Sequence, residues 1–209
     1  GVMIGEGEDT FRELCGYYAH KRKLSDIAGI AFRKYSTGNS TSNRTSVNNA
    51  GFKADEIVFT SPRPIKNMSE IPFCYDTLDD FSNRIIYYES SRGCPYSCSY
   101  CLSSIDKTVR FRSLDLVMKE LDYFLERKVP QVKFVDRTFN CKKSHALAIW
   151  RYLLEHDNGV TNFHFEISAD LIDEEELEVM EQMRPGLIQL EIGVQTTNPD
   201  TITEIRRKM

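Results

Sequence analysis

Apolar and polar residues follow two alternating periods along this chain, most regularly in its second half. Short apolar runs predict strands at 85–90, 132–135, 163–169 and 187–194. Between them, apolar residues spaced three and four apart predict helices at 113–125, 146–154 and 173–183, with a last helix opening at Asn198 or Asp200. Strands that alternate with helices pair in parallel through right-handed crossovers. The pattern predicts an α/β fold of about four parallel βα units, either a partial βα barrel or a small doubly wound sheet.

The first 74 residues follow a different pattern, which predicts a small α+β junction segment. A strand at 2–4 is followed by a helix that Asp9 or Thr10 can cap. Strands are also expected at 27–33 and 56–60, joined by a polar stretch at 35–51 with the composition of a hairpin tip. Prolines then predict an extended linker. We expect one domain at 1–74 and a second at 75–209.

Composition and charge narrow the function classes. With 41% hydrophobic and 28% charged residues, the chain has the composition of a soluble globular protein. A net charge of −4 supplies no excess of cations for a nucleic-acid partner. No apolar run approaches the ~20 residues that a membrane-spanning helix needs. Cys15, Cys74 and Cys141 lie far apart, as incidental thiols do, so we expect a reducing, cytoplasmic location.

The other three cysteines, Cys94, Cys98 and Cys101, form a compact CxxxCxxC group after a predicted strand. Thiolates at this spacing can surround one metal centre, and active sites of barrels gather at the C-terminal ends of strands. Redox iron–sulfur clusters normally take four cysteines, so without a fourth one nearby in sequence one iron would stay open to a cofactor or substrate. Gly93 would let the backbone approach such a bulky group. A structural zinc site is the alternative, although a second ligand pair is missing from the sequence.

Two predicted strands carry polar residues at every second position. Parallel strands that are buried on both faces usually form continuous apolar runs, and these do not. Since one face must pack on helices, the polar side chains are expected to line the barrel interior; they are His164, Glu166, Ser168, Gln189, Glu191 and Gln195. A polar, acidic interior suits a cavity for a polar ligand. The alternatives are a solvated sheet face and, for His164, a purely structural histidine.

The segment SRGCPYSCSYC at 91–101 resembles the cluster loop of the radical S-adenosylmethionine (SAM) superfamily. The resemblance implies that Cys94, Cys98 and Cys101 hold a 4Fe-4S cluster, that SAM binds the open iron, and that Tyr100 lies beside the adenine. It implies an enzyme that cleaves SAM to methionine and a 5′-deoxyadenosyl radical, with a small-molecule substrate and an electron donor such as flavodoxin or ferredoxin. Asp136, in VDRTFN, resembles an acidic motif that helps hold the methionine moiety; a helix cap is the alternative role.

The segments at 5–11 and 57–72 resemble the junction of the cobalamin-binding-domain subgroup, which includes the anaerobic magnesium-protoporphyrin IX monomethyl ester oxidative cyclase. Residues 1–74 would be the end of a cobalamin-binding domain whose ligating histidine motif lies upstream, a role that His20 does not supply. We therefore expect a fragment cut at both ends, with cobalamin bound by the parent protein and little or no turnover by the isolated chain. One rival is a radical SAM methylthiotransferase, a class that carries extra cysteines in a different N-terminal domain; Cys15 and Cys74 do not form such a set. The other rival is a non-catalytic zinc or iron–sulfur module.

Overall fold

A computed structural model of the chain describes residues 1–35, 54–75 and 81–207. These residues divide into two compact units, Gly1–Lys66 and Asn67–Met209. The division falls earlier than the boundary expected between 74 and 75, because Phe73 and Tyr75 pack against the core of the second unit. Beyond Tyr35, the hairpin tip expected at 35–51 lies outside the described residues.

The first unit is a three-stranded antiparallel sheet with one helix. Its elements are β1 (Val2–Met3), α1 (Glu8–Tyr18), β2 (Ile30–Tyr35) and β3 (Ala54–Phe59), with the sheet in the order β1-β2-β3. The expected helix cap at Asp9 or Thr10 is wrong, since Gly7 precedes the first helical residue. Thr10 is instead buried inside the helix, where its hydroxyl donates to the Ala28 carbonyl at 3.2 Å.

The second unit contains the predicted succession of strands and helices. In chain order its elements are β4 (Ile85–Tyr88), β5 (Ser91–Arg92), β6 (Arg110–Phe111), α2 (Leu114–Glu126), β7 (Gln131–Phe134), α3 (Lys143–Glu155), β8 (Asn162–Ile167), α4 (Glu174–Glu181), β9 (Ile188–Ile192) and α5 (Pro199–Glu204). The strands β4, β7, β8 and β9 form a parallel sheet in that order. The predicted α/β fold of a partial βα barrel is confirmed.

Side-chain caps set the start of two of these helices. Asp173 accepts from the Glu176 amide while the Glu176 side chain accepts from the Asp173 amide, a capping box that begins α4. Asn198 accepts from the Thr201 amide and begins α5, as expected from sequence. Ser113 precedes α2 at the expected position but makes no side-chain cap bond.

Aromatic side chains form the core between the sheet and its helices. Phe134, Phe139, Trp150 and Phe165 are fully buried. The ring centroid of Phe165 lies 4.5 Å from that of Phe134 and 4.3 Å from that of Phe139. Because this layer occupies one face of the sheet, the polar residues of the strands face the other side. Among the described residues, none of the helices combines the length and the apolar character that a membrane crossing demands.

Candidate active site

The cysteine loop leaves and re-enters the fold at one point. The antiparallel pair of β5 and β6 joins Ser91 to Phe111 and Arg92 to Arg110, so the two ends of the loop are fixed together. Gly93 adopts a φ of +105°, and a Cβ there would overlap the Thr108 carbonyl and lie 3.2 Å from the Val109 Cα. The loop's own backbone therefore requires this glycine, and the close approach of a cofactor here stays a prediction.

The three cysteines of the loop line one cavity of about 530 Å³. Cys94 and Cys98 are 9% and 8% exposed, and Cys101 is half-buried. None of the three forms a disulfide, and the Cys101 amide donates to the Cys98 carbonyl at 3.2 Å. Burial raises the pKa of the Cys94 thiol, and the neighbouring Cys101 and Cys98 act in the same direction. The cavity has the size of a typical small-molecule site.

Most of the predicted binding residues line the same cavity. They come from the cysteine loop and from the ends of β8 and β9: Tyr100, Glu166, Ser168, Glu191 and Gln195. In β8 burial alternates along the strand: Phe163 and Phe165 are fully buried in the core, and Ile167, at the end of the strand, is buried but also reaches the cavity. The structure thus brings together side chains that are far apart in sequence.

Two cations pair with the carboxylates of the cavity. Arg137 forms an ion pair with Glu166, and Lys133 Nζ lies 3.5 Å from Glu166 Oε1 and 2.9 Å from Glu191 Oε2. The hydrogen bond from Lys133 lowers the pKa of Glu191. His164 Nε2 lies 3.1 Å from Glu191 Oε2, and burial lowers the pKa of this histidine. Glu166 and Glu191 therefore line the cavity already paired with cations, and His164 contacts Glu191 without lining the cavity itself.

Asp136 does not line the cavity, and it does not cap α3. Its carboxylate is fully buried and accepts from the Ser90 amide at 3.1 Å, the Ser90 hydroxyl at 2.8 Å and the Ser91 hydroxyl at 2.5 Å. His145 Nε2 lies 3.1 Å from the same Ser90 hydroxyl. Burial raises the pKa of Asp136 to about 6, although these hydrogen bonds oppose the shift. Asp136 therefore fixes the backbone at the base of the cysteine loop.

Sequence reasoning missed several residues of the cavity. Arg137 follows Asp136 directly, and strand-like alternation could have placed it on the opposite, cavity-facing side. Asn140 does not line the cavity but holds a residue that does. Its side-chain Nδ2 donates to the Ser168 carbonyl and its Oδ1 accepts from the Ser168 amide, both at 2.9 Å. No local pattern indicates the remaining missed lining residues, which are Tyr96, Leu102, Ser103, Thr138, Ile167, Gly193 and Arg207.

Within residues 1–35, 54–75 and 81–207, no three His, Cys, Asp or Glu side chains converge closely enough to hold a single metal ion. A 4Fe-4S cluster makes a different demand, since each of its thiolate ligands binds a different iron. Three largely buried thiols around one cavity are a donor set that fits such a cluster.

Known proteins resemble this chain in sequence and in fold. The sequence profile of the radical SAM superfamily matches residues 88–209, more than half of the chain. The uncharacterized methyltransferase PH0819 of Pyrococcus horikoshii is 30% identical over 158 residues, which cover 71% of this chain and 30% of that protein. The chain therefore spans less than a third of that relative's length.

Two solved structures share the fold. The radical SAM methyltransferase TsrM of Kitasatospora setae, with tryptophan substrate and a SAM analogue bound, has a TM-score of 0.66 at 15% identity, over 99% of this chain and 39% of that one. The cobalamin-dependent SAM radical enzyme OxsB has a TM-score of 0.67 at 20% identity, over 99% of this chain and 29% of that one.

Proposed function

Because this chain belongs to the radical SAM superfamily, we propose that it binds a 4Fe-4S cluster and SAM in the cavity of the second unit. Cys94, Cys98 and Cys101 would hold three of the four irons. The observation that carries the proposal is that two buried thiols, one half-buried thiol and the polar ends of β8 and β9 line one cavity of about 530 Å³.

When bound, a reduced cluster of this kind supplies the electron that cleaves SAM to methionine and a 5′-deoxyadenosyl radical. The chain's own residues would bind and orient the cofactors. Gly93 and Asp136 hold the base of the cysteine loop, so that the thiols are presented from a fixed backbone. Burial of Cys94 limits the access of water to the site.

The residues proposed to contact SAM are those that line the cavity around the thiols. Tyr100, which is 53% exposed, offers an aromatic face to the adenine. Glu166 and Glu191 offer carboxylate acceptors, and Ser168 and Gln195 offer neutral polar groups. SAM carries a sulfonium cation and an ammonium group, so these two carboxylates would attract it, although Arg137 and Lys133 already pair with them.

For the whole protein we propose a cobalamin-linked enzyme that transfers methyl groups to a small molecule. The descriptions of the P. horikoshii relative and of TsrM as methyltransferases support methyl transfer over oxidative cyclisation, and the description of OxsB supports the link to cobalamin. A flavodoxin or ferredoxin is the proposed electron donor. We propose that cobalamin binds to a part of the whole protein other than residues 1–209. The cytoplasmic location stays a prediction.

Anaerobic reconstitution of the 209-residue chain with iron and sulfide tests the proposal. We expect about four irons and four sulfides per chain, and an electron paramagnetic resonance signal of the reduced cluster that SAM perturbs. Substituting any one of Cys94, Cys98 and Cys101 by alanine abolishes iron retention. Cys15→Ala is the matched control, because this exposed cysteine lies in the first unit and its loss leaves the iron content unchanged.

The same samples distinguish the rival functions. Stoichiometric zinc without iron would establish a structural module and refute the proposal. A second cluster that depends on Cys15 or Cys74 would favour a methylthiotransferase. We expect the isolated chain to bind SAM but to release little 5′-deoxyadenosine, and robust release would contradict this expectation.

A further inference from the structure

The segment after α5 contacts the cysteine loop at two points. The Ser99 amide donates to the Ile205 carbonyl at 2.9 Å. Arg207 Nη1 donates to the Tyr100 hydroxyl at 3.1 Å, and its Nη2 donates to the Gly193 carbonyl just after β9. One guanidinium therefore bridges Tyr100, in the middle of the cysteine loop, and Gly193 at the end of β9. Arg207, Tyr100 and Gly193 all line the cavity.

Among residues 1–35, 54–75 and 81–207, no carboxylate forms an ion pair with Arg207. Its two Nη groups bind neutral oxygens, and its buried Nε has no hydrogen-bond partner among the described residues. The other arginine of the cavity differs, since Arg137 is paired with Glu166. An anionic group in the same cavity would be stabilised by this cation. The three thiolates of the loop are such a group.

We propose that Arg207 is a positioning residue that holds Tyr100, and through it the middle of the cysteine loop, against the end of β9. Its cation also lines the same cavity as the three thiols of the loop. The first statement concerns the chain without any cofactor, whereas the second rests on the proposed function. The two can therefore fail separately.

Alkylation of the metal-free 209-residue chain tests the positioning role. Iodoacetamide labelling of Cys101 is followed by peptide mass spectrometry, with the exposed Cys15 of the first unit as an internal reference. In Arg207→Gln the loop opens more often, and we expect Cys101 to react about fivefold faster, the factor that one lost hydrogen bond gives. Arg206→Gln is the matched control: this adjacent, exposed arginine leaves the rate at wild type.

A double-mutant cycle identifies the contact that is responsible. Tyr100→Phe removes only the hydroxyl, and we expect a rate increase comparable to that of Arg207→Gln. The double variant reacts no faster than either single variant, because both remove the same hydrogen bond. The proposal would be overturned if the rate increases of the two single variants multiplied in the double variant. It would also be overturned if Cys101 reacted at the wild-type rate in Arg207→Gln. If Arg207→Gln does not fold, Tyr100→Phe and Arg207→Lys decide the question on the same readout.

The reconstituted protein separates charge from contact. Arg207→Gln removes a cation from the cavity that is proposed to hold an anionic cluster. We therefore expect the reduction potential of the cluster to be more negative in this variant than in wild type. Arg207→Lys keeps the charge and leaves the potential near wild type, although it loses the two-point bridge. If wild type takes up no iron, the proposed function fails while the alkylation result still decides the positioning role. Unchanged potentials in loaded Arg207→Gln would refute the electrostatic role alone.

Discussion

The carboxylate of Asp136 accepts a 2.5 Å hydrogen bond from the hydroxyl of Ser91, on the strand that leads into the cysteine loop. Both groups are buried, and the same carboxylate binds the amide and the hydroxyl of Ser90. The end of β7 is thereby joined to the base of the loop. Residues that never touch the cavity consequently decide where its thiols lie.

Removing this carboxylate should destabilise the fold and loosen the loop. In Asp136→Ala, buried donors of Ser90 and Ser91 lose their acceptor, and we expect the free energy of unfolding to fall by about 3 kcal/mol. Urea unfolding followed by circular dichroism measures the loss. Asp115→Asn, at an exposed position in the first turn of α2, should cost less than about 1 kcal/mol. Equal costs for the two variants would contradict this role of Asp136.

Asp136 and His145 contribute to stability with opposite dependence on pH. Burial raises the pKa of Asp136 from 3.8 to about 6, so the folded chain binds this proton more tightly. That contribution is lost as pH rises from about 4 to about 6. Burial lowers the pKa of His145 from 6.5 to about 4, and its contribution is lost as pH falls through this window. In wild type the two effects largely cancel.

Single variants should expose each dependence. In Asp136→Asn, His145 is the only group of the pair that still titrates, so stability relative to wild type should rise with pH between about 4 and about 6, by at most about 1.4 kcal/mol per pH unit. In His145→Gln, Asp136 is the group of the pair that remains, and stability relative to wild type should fall over the same window. Urea midpoints at several pH values measure both profiles relative to wild type. Parallel profiles in the two variants would show that neither pKa is shifted as described.

Gly93 should tolerate no side chain. Gly93→Ala combines a positive φ with an overlap against the Thr108 backbone, so we expect a loss of stability well above about 2 kcal/mol and loss of bound iron. Gly159→Ala is the matched control, because its φ of +75° carries similar strain while no atom lies within 4 Å of the new Cβ. That change should cost about 1 kcal/mol. Chemical unfolding and iron analysis test both, and similar costs would refute the steric argument.

Glu166 should contribute to SAM binding more than to folding. Ion pairs with Arg137 and Lys133 position the Glu166 carboxylate at the cavity wall, and Glu166→Gln removes its negative charge. We expect the SAM affinity of the reconstituted chain to fall about tenfold. Equilibrium dialysis with labelled SAM measures the change. Glu178→Gln, at an exposed position of α4, should leave the affinity at wild type. Unchanged affinity in Glu166→Gln would remove this residue from the binding site.

The sequence alone determined features that depend on local periodicity and spacing. Side chains of a strand alternate between two faces wherever the strand lies, so the polar pattern of 163–169 identified Glu166 as facing away from the helices. The spacing of the three cysteines is equally local, and it predicted a thiol-lined site before any fold was known. The α/β fold followed from the order of periodic segments, because each needs a partner for its apolar face.

The tertiary structure decided everything that depends on contacts between distant segments. Asp136 carries the same acidic side chain whether it binds a ligand or a buried serine, and only the packing of β7 beside β4 settled that it binds Ser90 and Ser91. Arg207 lies 107 residues from Tyr100 in the chain, so no local pattern could have joined them. Local periodicity sets which face a side chain occupies, whereas its partners depend on where the chain returns in space.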